Sequence, residues 1–403
     1  MVARARRAWL QRKALLRMRP FEPDPTVRRL AAAYTVADLR TIARRRTPRS
    51  IFDYVDGAAE HEVSIWRARR ELRDLEFQPS VLHDVGTVDL STEILGRPSA
   101  LPYVFAPTGF TRLLHHSGEV AVARSARRYG VPYTLSTMGT TSIEALAEAV
   151  PDARTWFGFY VWKDRKAGEE LMTRAQEAGY ETLVLTVDVP VGGARLRDNR
   201  NGFTIPPSLT GRTLLDGALH PAWWARFLTT EPVRFATFDS WAGTIEELAA
   251  HLFDPTVELA DLEWVREFWP GPLVVKGIQT VADARRVVGA GADGVVVSNH
   301  GGRQLDRAPV PVRVLPEVVQ AVGSRAEVYV DTGFTSGADV VAGIALGARA
   351  VLLGRAYLYG LMAGGERGVD RVNEILTAEI RRTLQLLGVR SVRELTPAHV
   401  RLA

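Results

Sequence analysis

The sequence predicts an α/β fold, a (β/α)8 TIM barrel with an N-terminal helical extension and a long insertion after strand 4. Three observations predict it. From residue 103 onward, short apolar strand-like runs alternate with helical stretches, the pattern of repeated βα units around a parallel sheet. Eight such runs occur, at a spacing that fits a barrel of about 250 residues with additions. The C-terminal ends of those runs are unusually polar, as expected where eight strand ends converge on one mouth.

The elements follow in chain order. Residues 1–34 read as a basic extension: Arg4, Arg6, Arg7, Arg12, Lys13, Arg17 and Arg19 occur with no acid, interleaved with Trp9, Leu10, Leu15, Leu16 and Met18. A solvated tail is the simpler reading, and a helix lying on an anionic membrane surface is the alternative. No apolar run of signal-peptide length follows the charges, and nothing approaches the ~20 continuous apolar residues of a membrane span. The rest, residues 35–403, reads as one barrel domain. Helices are expected from about Thr35 to Arg73. The strands are expected at Tyr103 to Ala106, Tyr133 to Ser136, Thr155 to Val161, Thr182 to Asp188, Leu273 to Gly277, Gly294 to Asn299, Glu327 to Asp331 and Ala350 to Gly354. Helices fall between them, for example Ser117 to Tyr129, Arg165 to Ala178, Val281 to Ala290 and Ser336 to Leu346. A C-terminal helical pair, about Gly368 to Leu387, closes the chain.

The insertion, about residues 189–260, is far longer than an ordinary βα loop and sits by geometry at the catalytic face. Within it, Pro221-Ala222-Trp223-Trp224-Ala225-Arg226-Phe227-Leu228 groups bulky apolar residues beside a cation. Packing on the barrel or a sister subunit, or dipping into a bilayer interface, both suit it.

Composition removes several classes. Cysteine is absent, which excludes disulfides, thiolate metal sites, iron–sulfur clusters and cysteine nucleophiles. Net charge is +5, but 51 basic residues face 46 acidic ones spread along most of the chain, so no concentrated basic face for nucleic acid is expected. His115-His116 and the scattered His61, His83, His220, His251 and His399 show no metal-ligand spacing. A cytoplasmic protein, with peripheral contact at the inner face of the membrane as an option, is the expectation.

The strand ends carry the chemistry. They present Pro107-Thr108-Gly109, Ser136, Tyr160, Thr186 with Asp188, Lys276, His300, Asp331 and Gly354-Arg355 in turn. The run Ser298-Asn299-His300-Gly301-Gly302-Arg303-Gln304-Leu305-Asp306 is the most informative. It delivers a base that titrates near neutrality and a guanidinium that can fork onto a carboxylate, three residues apart. Taken singly, this run also suits a capped loop with a surface arginine, and a lone Lys276 or Asp331 suits an internal ion pair. Glycine turns at Gly333-Phe334-Thr335-Ser336-Gly337 and Gly354-Arg355 stand where barrels commonly bind phosphate.

These motifs together resemble the FMN-dependent L-2-hydroxy-acid oxidase and dehydrogenase family, across roughly residues 35 to 400. The resemblance implies FMN as cofactor and oxidation of an L-2-hydroxy acid to the 2-keto acid. It implies that His300 is the general base, oriented by Asp188. Arg303, Arg195 and the Tyr54 hydroxyl would bind the substrate carboxylate, and Tyr160 the reacting oxygen. Lys276 would stand by the flavin N1/O2 edge. Pro107, Thr108, Gly109, Ser136, Thr186, Ser298, Asp331, Gly333, Gly354 and Arg355 would surround the cofactor. Family members are often oligomers.

Two positions depart from the family pattern. Gly158 stands where a glutamine is usual, and Asp331-Thr332-Gly333-Phe334-Thr335 replaces Asp-Gly-Gly-x-Arg. The expectation is weaker FMN retention, with Arg355 and backbone amides holding the phosphate. Gly109 and the Trp-rich insertion point to a dehydrogenase passing electrons to a quinone or protein carrier. An oxygen-dependent oxidase or monooxygenase, or a flavin barrel recruited to tailor a peptide or specialised metabolite, are the alternatives.

Overall fold

The computed structural model describes residues 21–202, 211–233, 236 and 254–402. The whole basic run Arg4 to Arg19, expected to form an extension, therefore lies outside the described residues, as does part of the insertion. Eight parallel strands close into a barrel in chain order: β1 (Tyr103–Phe105), β2 (Tyr133–Ser136), β3 (Thr155–Phe159), β4 (Thr182–Thr186), β5 (Leu273–Ile278), β6 (Gly294–Val297), β7 (Glu327–Val330) and β8 (Ala350–Leu353). The ring closes where Leu353 of β8 pairs with Phe105 of β1. Each strand lies at its expected place, shorter by a residue or two at some ends. Runs such as Gly-Val-Val-Val are buried throughout because helices cover the outside and side chains fill the inside. Ile94, Val104, Trp156, Val184, Val274, Val296, Tyr329 and Leu352 pack together as that interior.

The covering helices start on side-chain caps. Ser142, Asp164, Thr280 and Ser336 each accept a hydrogen bond from an amide of the first turn that follows. The expected N-terminal helical region is three helices, Val36–Arg46, Arg49–Asp56 and Val63–Asp74. One expectation fails: residues 368–387 do not form a helical pair. They lie in a single helix, Glu366–Leu387, whose partner is Arg355–Gly364; the break falls at Gly365, at φ 65°, while Gly368 is carried within the first turn of the second helix and no glycine or proline follows it before Gly388.

The chain between Thr186 and Leu273 holds the helices Leu196–Arg200, Gly211–Ala218, Pro221–Thr229 and Leu259–Phe268. The first of these is latched to Arg49–Asp56. Arg197 reaches Asp56 at 3.0 Å and Asp53 at 3.4 Å and also pairs with Glu62, while the Asn201 amide donates to Asp53 at 2.5 Å. No described helix is long and apolar enough to cross a membrane.

Candidate active site

The β6 strand ends at Val297, and the next residues turn back sharply, His300 lying in the left-handed region at φ 57°. That strain is held by hydrogen bonds on both sides: Ser298 Oγ accepts from the His300 amide at 3.0 Å, and Asn299 Oδ1 accepts from the Gly302 amide at 3.0 Å. The turn aims the imidazole at the loop after β4, where Nδ1 lies 2.9 Å from Asp188 Oδ1. Asp188 fits there because its neighbour on β5 is Gly277, at φ 111°; a Cβ at 277 would stand 2.6 Å from that of Asp188.

Burial pulls the His300 pKa below its ordinary value, with Lys276 and Arg303 acting in the same direction and the Asp188 charge opposing them. Burial works against ionisation of Asp188, but the His300 and Lys276 charges outweigh it and hold the carboxylate low. Near neutrality the pair is thus a carboxylate and a neutral imidazole. With Nδ1 donating to Asp188, the lone pair of Nε2 is free to take a proton.

Two arginines flank the ring of Tyr54, which the helix Arg49–Asp56 carries. Arg303 lies 4.9 Å and Arg195 5.3 Å from the ring centroid, and Arg303 Nη1 donates to the Tyr54 carbonyl at 2.6 Å. Burial, reinforced by the nearby Arg195 charge, pushes the Arg303 pKa down to about 10. Asp198 answers Arg195 at 3.4 Å, yet burial keeps its own carboxyl above the usual range. The balance is cationic, which suits an anionic ligand. Tyr160 completes the wall; burial and then Asp188 raise its pKa, so its hydroxyl stays protonated and able to donate.

These groups line a cavity of about 260 Å³ at the C-terminal mouth of the barrel. Every predicted site residue lines it except Asp188, Thr186 and Ser298, which stand behind Lys276 and His300. The cavity meets the requirements of FMN. Ala106, Pro107 and Leu352 supply apolar wall, and the buried Lys276 amine, 3.2 Å from Ser298 Oγ and 3.5 Å from Asp331, supplies a positive charge. The far end is formed by the turns at Gly333 and Gly354 with Arg355 and Arg69.

Some expected contacts are directed elsewhere. The Thr108 hydroxyl faces Tyr357 at 2.5 Å, so its hydrogen bond is made with the protein. Arg355 spends three of its five N–H donors on the carbonyls of Val55 (2.8 Å), Gly57 (2.7 Å) and Gly301 (2.8 Å), because its side chain threads between the C-terminal end of Arg49–Asp56 and the turn at Gly301. Gly158 has no room for the usual amide: a Cβ there would stand 2.8 Å from Pro107.

Residues not singled out from the sequence prove structural to the site. Gln304 ties the loops after β4 and β6 together, donating to the carbonyls of Asp188 (3.1 Å) and Val191 (2.9 Å) and accepting from the Gly193 amide. Thr332, at φ 72°, accepts from the Gly301 amide at 3.1 Å and links to Asn299 and Asp331. Asp306 accepts from the Ser64 amide at 2.8 Å at the start of Val63–Asp74. Gln304 and Asp306 stood in the Ser298–Asp306 run, which was the available signal.

Residues 43–402 match the FMN-dependent dehydrogenase family. A putative L-lactate dehydrogenase of Mycobacterium tuberculosis is 57% identical over 377 residues, 94% of this chain and 91% of that protein. The (S)-mandelate dehydrogenase of Pseudomonas putida is 41% identical over 371 residues, 91% of this chain and 93% of that protein. Among solved structures, a monotopic membrane protein (S)-mandelate dehydrogenase superposes with a TM-score of 0.89 at 40% identity, covering 92% of this chain and 100% of that one. With this extent of likeness and a cavity of matching chemistry, the chain belongs to the FMN-dependent dehydrogenase family, and FMN is its cofactor.

Proposed function

We propose that the protein oxidises an L-2-hydroxy acid of the lactate or mandelate class to the 2-keto acid. The observation that carries this reading is the convergence of a neutral His300, backed by Asp188, with the guanidiniums of Arg303 and the half-buried Arg195. A carboxylate answers the two arginines and places the adjacent carbinol at the base. His300 Nε2 then takes the hydroxyl proton, and Asp188 stabilises the imidazolium so formed. Tyr160 donates to the substrate oxygen, and Tyr54 helps to hold the carboxylate. Ser136, the backbone of Pro107 to Gly109, Lys276, Gly333 and Gly354 would hold FMN, which accepts the two substrate electrons when bound.

Anaerobic mixing of the FMN-loaded enzyme with a panel of L-2-hydroxy acids tests this. Loss of the oxidised flavin's visible absorbance with one acid, abolished by His300→Ala, is expected. No bleaching by any acid of fully loaded protein rejects the reading.

For the acceptor, the favoured destination is a membrane quinone or carrier. In the helix Pro221–Thr229, Trp223 stacks on Phe227 at 4.9 Å and its indole donates to the Leu113 carbonyl at 3.2 Å, while Leu228 on the helix and Leu219 just before it remain exposed. One face is anchored on the barrel and apolar residues are left outside, which fits peripheral contact with a bilayer. Rapid oxygen consumption during turnover, with no reduction of added quinone, favours the oxidase alternative.

A further inference from the structure

We propose that Arg69, on the helix Val63–Asp74 outside the barrel, is the cation that binds the FMN phosphate. The inference rests on FMN being the ligand of this cavity. A phosphate monoester carries close to two negative charges near neutrality and seeks N–H donors. Several of the donors expected to meet it are already spent. Three of Arg355's donors go to carbonyls. In the turn after β7, the amides of Thr335 and Ser336 both donate to Asp339 at 2.8 Å, and that of Gly337 donates to Glu379 at 2.6 Å. Those carboxylates occupy the start of the helix Gly337–Ala345, where an anion would otherwise sit. Thr335 itself brings no charge.

Arg69 is the cation left over. Its helix is held over this end of the cavity at several points: Asp306 binds the Ser64 amide, Ile65 packs on Gly302, and Ala68 and Leu72 pack on the turn at Gly333. The next residue after Ala68 lines the cavity beside Thr335, Gly354 and Arg355. The Arg69 guanidinium makes no hydrogen bond or ion pair among the described residues, and its charge reaches Arg355 and Asp56. Two guanidiniums thus border a space opened by glycine turns, and one of them has all five donors free. A side chain from the N-terminal helices thereby supplies the charge that position 335 lacks, which offsets the loss of FMN retention expected from the sequence.

The test compares FMN with riboflavin, which lacks the phosphate, on the full chain. FMN release from holoenzyme on serial dilution is read by recovery of flavin fluorescence, and riboflavin binding is titrated on the same chains after flavin removal. Arg69→Gln is expected to weaken FMN binding about 30-fold, as loss of charge-assisted hydrogen bonds does, and to leave riboflavin binding within about two-fold. Arg69→Lys, which keeps the charge and the stem, is expected to lose less. FMN binding within about two-fold of wild type in Arg69→Gln, or equal weakening of FMN and riboflavin in both variants, overturns the proposal. Failure of the wild-type chain to bind either flavin removes the premise that FMN fills this cavity, and the proposal with it.

Discussion

The two mouths of the barrel handle charge in opposite ways. At the N-terminal mouth, Glu181 accepts from Arg154 and from the Trp156 indole, both at 2.8 Å, and pairs with Arg97; Glu327 accepts from the Tyr329 hydroxyl at 2.5 Å and faces Arg349. There each carboxylate is answered from within the chain. At the C-terminal mouth, among the described residues, Asp198 is the one carboxylate that pairs with Arg195, Arg303 is held by the Tyr54 carbonyl, Arg69 has no partner, and Asp188 Oδ2 is buried without a hydrogen bond. Charge neutralised internally locks the barrel shut, whereas charge left open marks where substrate and cofactor complete the structure.

Substitutions at each mouth sharpen that contrast. The largest effect is expected from His300→Ala: a loss of about 10⁴-fold in kcat with FMN content unchanged, measured by steady-state turnover and flavin stoichiometry. Next is Arg303→Met. Removing one arm of the carboxylate clamp is expected to lower kcat/KM about 10³-fold, equivalent to ~4 kcal/mol, with little change in thermal stability. The N-terminal mouth should respond in reverse. Glu181→Ala leaves the buried Trp156 indole without its acceptor and Arg154 with only carbonyl partners and no counter-charge, so stability falls by about 3 kcal/mol while kcat/KM of the folded enzyme is unchanged. A loss of activity without a loss of stability in that variant breaks the comparison.

The smallest expected effect is at the seam between loops. Thr332→Val keeps the shape and the positive φ but removes the acceptor of the Gly301 amide. A cost of about 2 kcal/mol is expected, with a modest fall in kcat as the turn bearing His300 loosens; thermal melts and turnover measured together report both.

Much of this was legible in the sequence, for stated physical reasons. The eight strands were readable because two-sided burial demands unbroken apolar runs, and His300, Arg303 and Lys276 because a barrel sends strand ends to one mouth. What was not legible depends on chain crossings. Arg69 sits in the run Arg67-Ala68-Arg69-Arg70, which looks like a solvated helix face until Gly333 is seen packed against Ala68. Arg355 looked free for phosphate because its three carbonyl partners come from the end of the helix Arg49–Asp56 and from the turn at Gly301, both distant in sequence. The single helix Glu366–Leu387 was read as a pair although no glycine or proline lies between Val369 and Leu387.

The pH dependence of anaerobic flavin reduction in wild type and Asp188→Asn tests the central claim most directly. The base must be neutral to act, and burial lowers the His300 pKa. The wild-type rate should therefore rise with pH through a midpoint below the ordinary histidine value of ~6.5 and then level. Asp188 is the counter-charge that supports the imidazolium, so its loss should lower the plateau by about 10³-fold and move the midpoint to still lower pH. A midpoint that stays in place or moves upward in Asp188→Asn would contradict the assignment of His300 and Asp188 as the base and its charge partner.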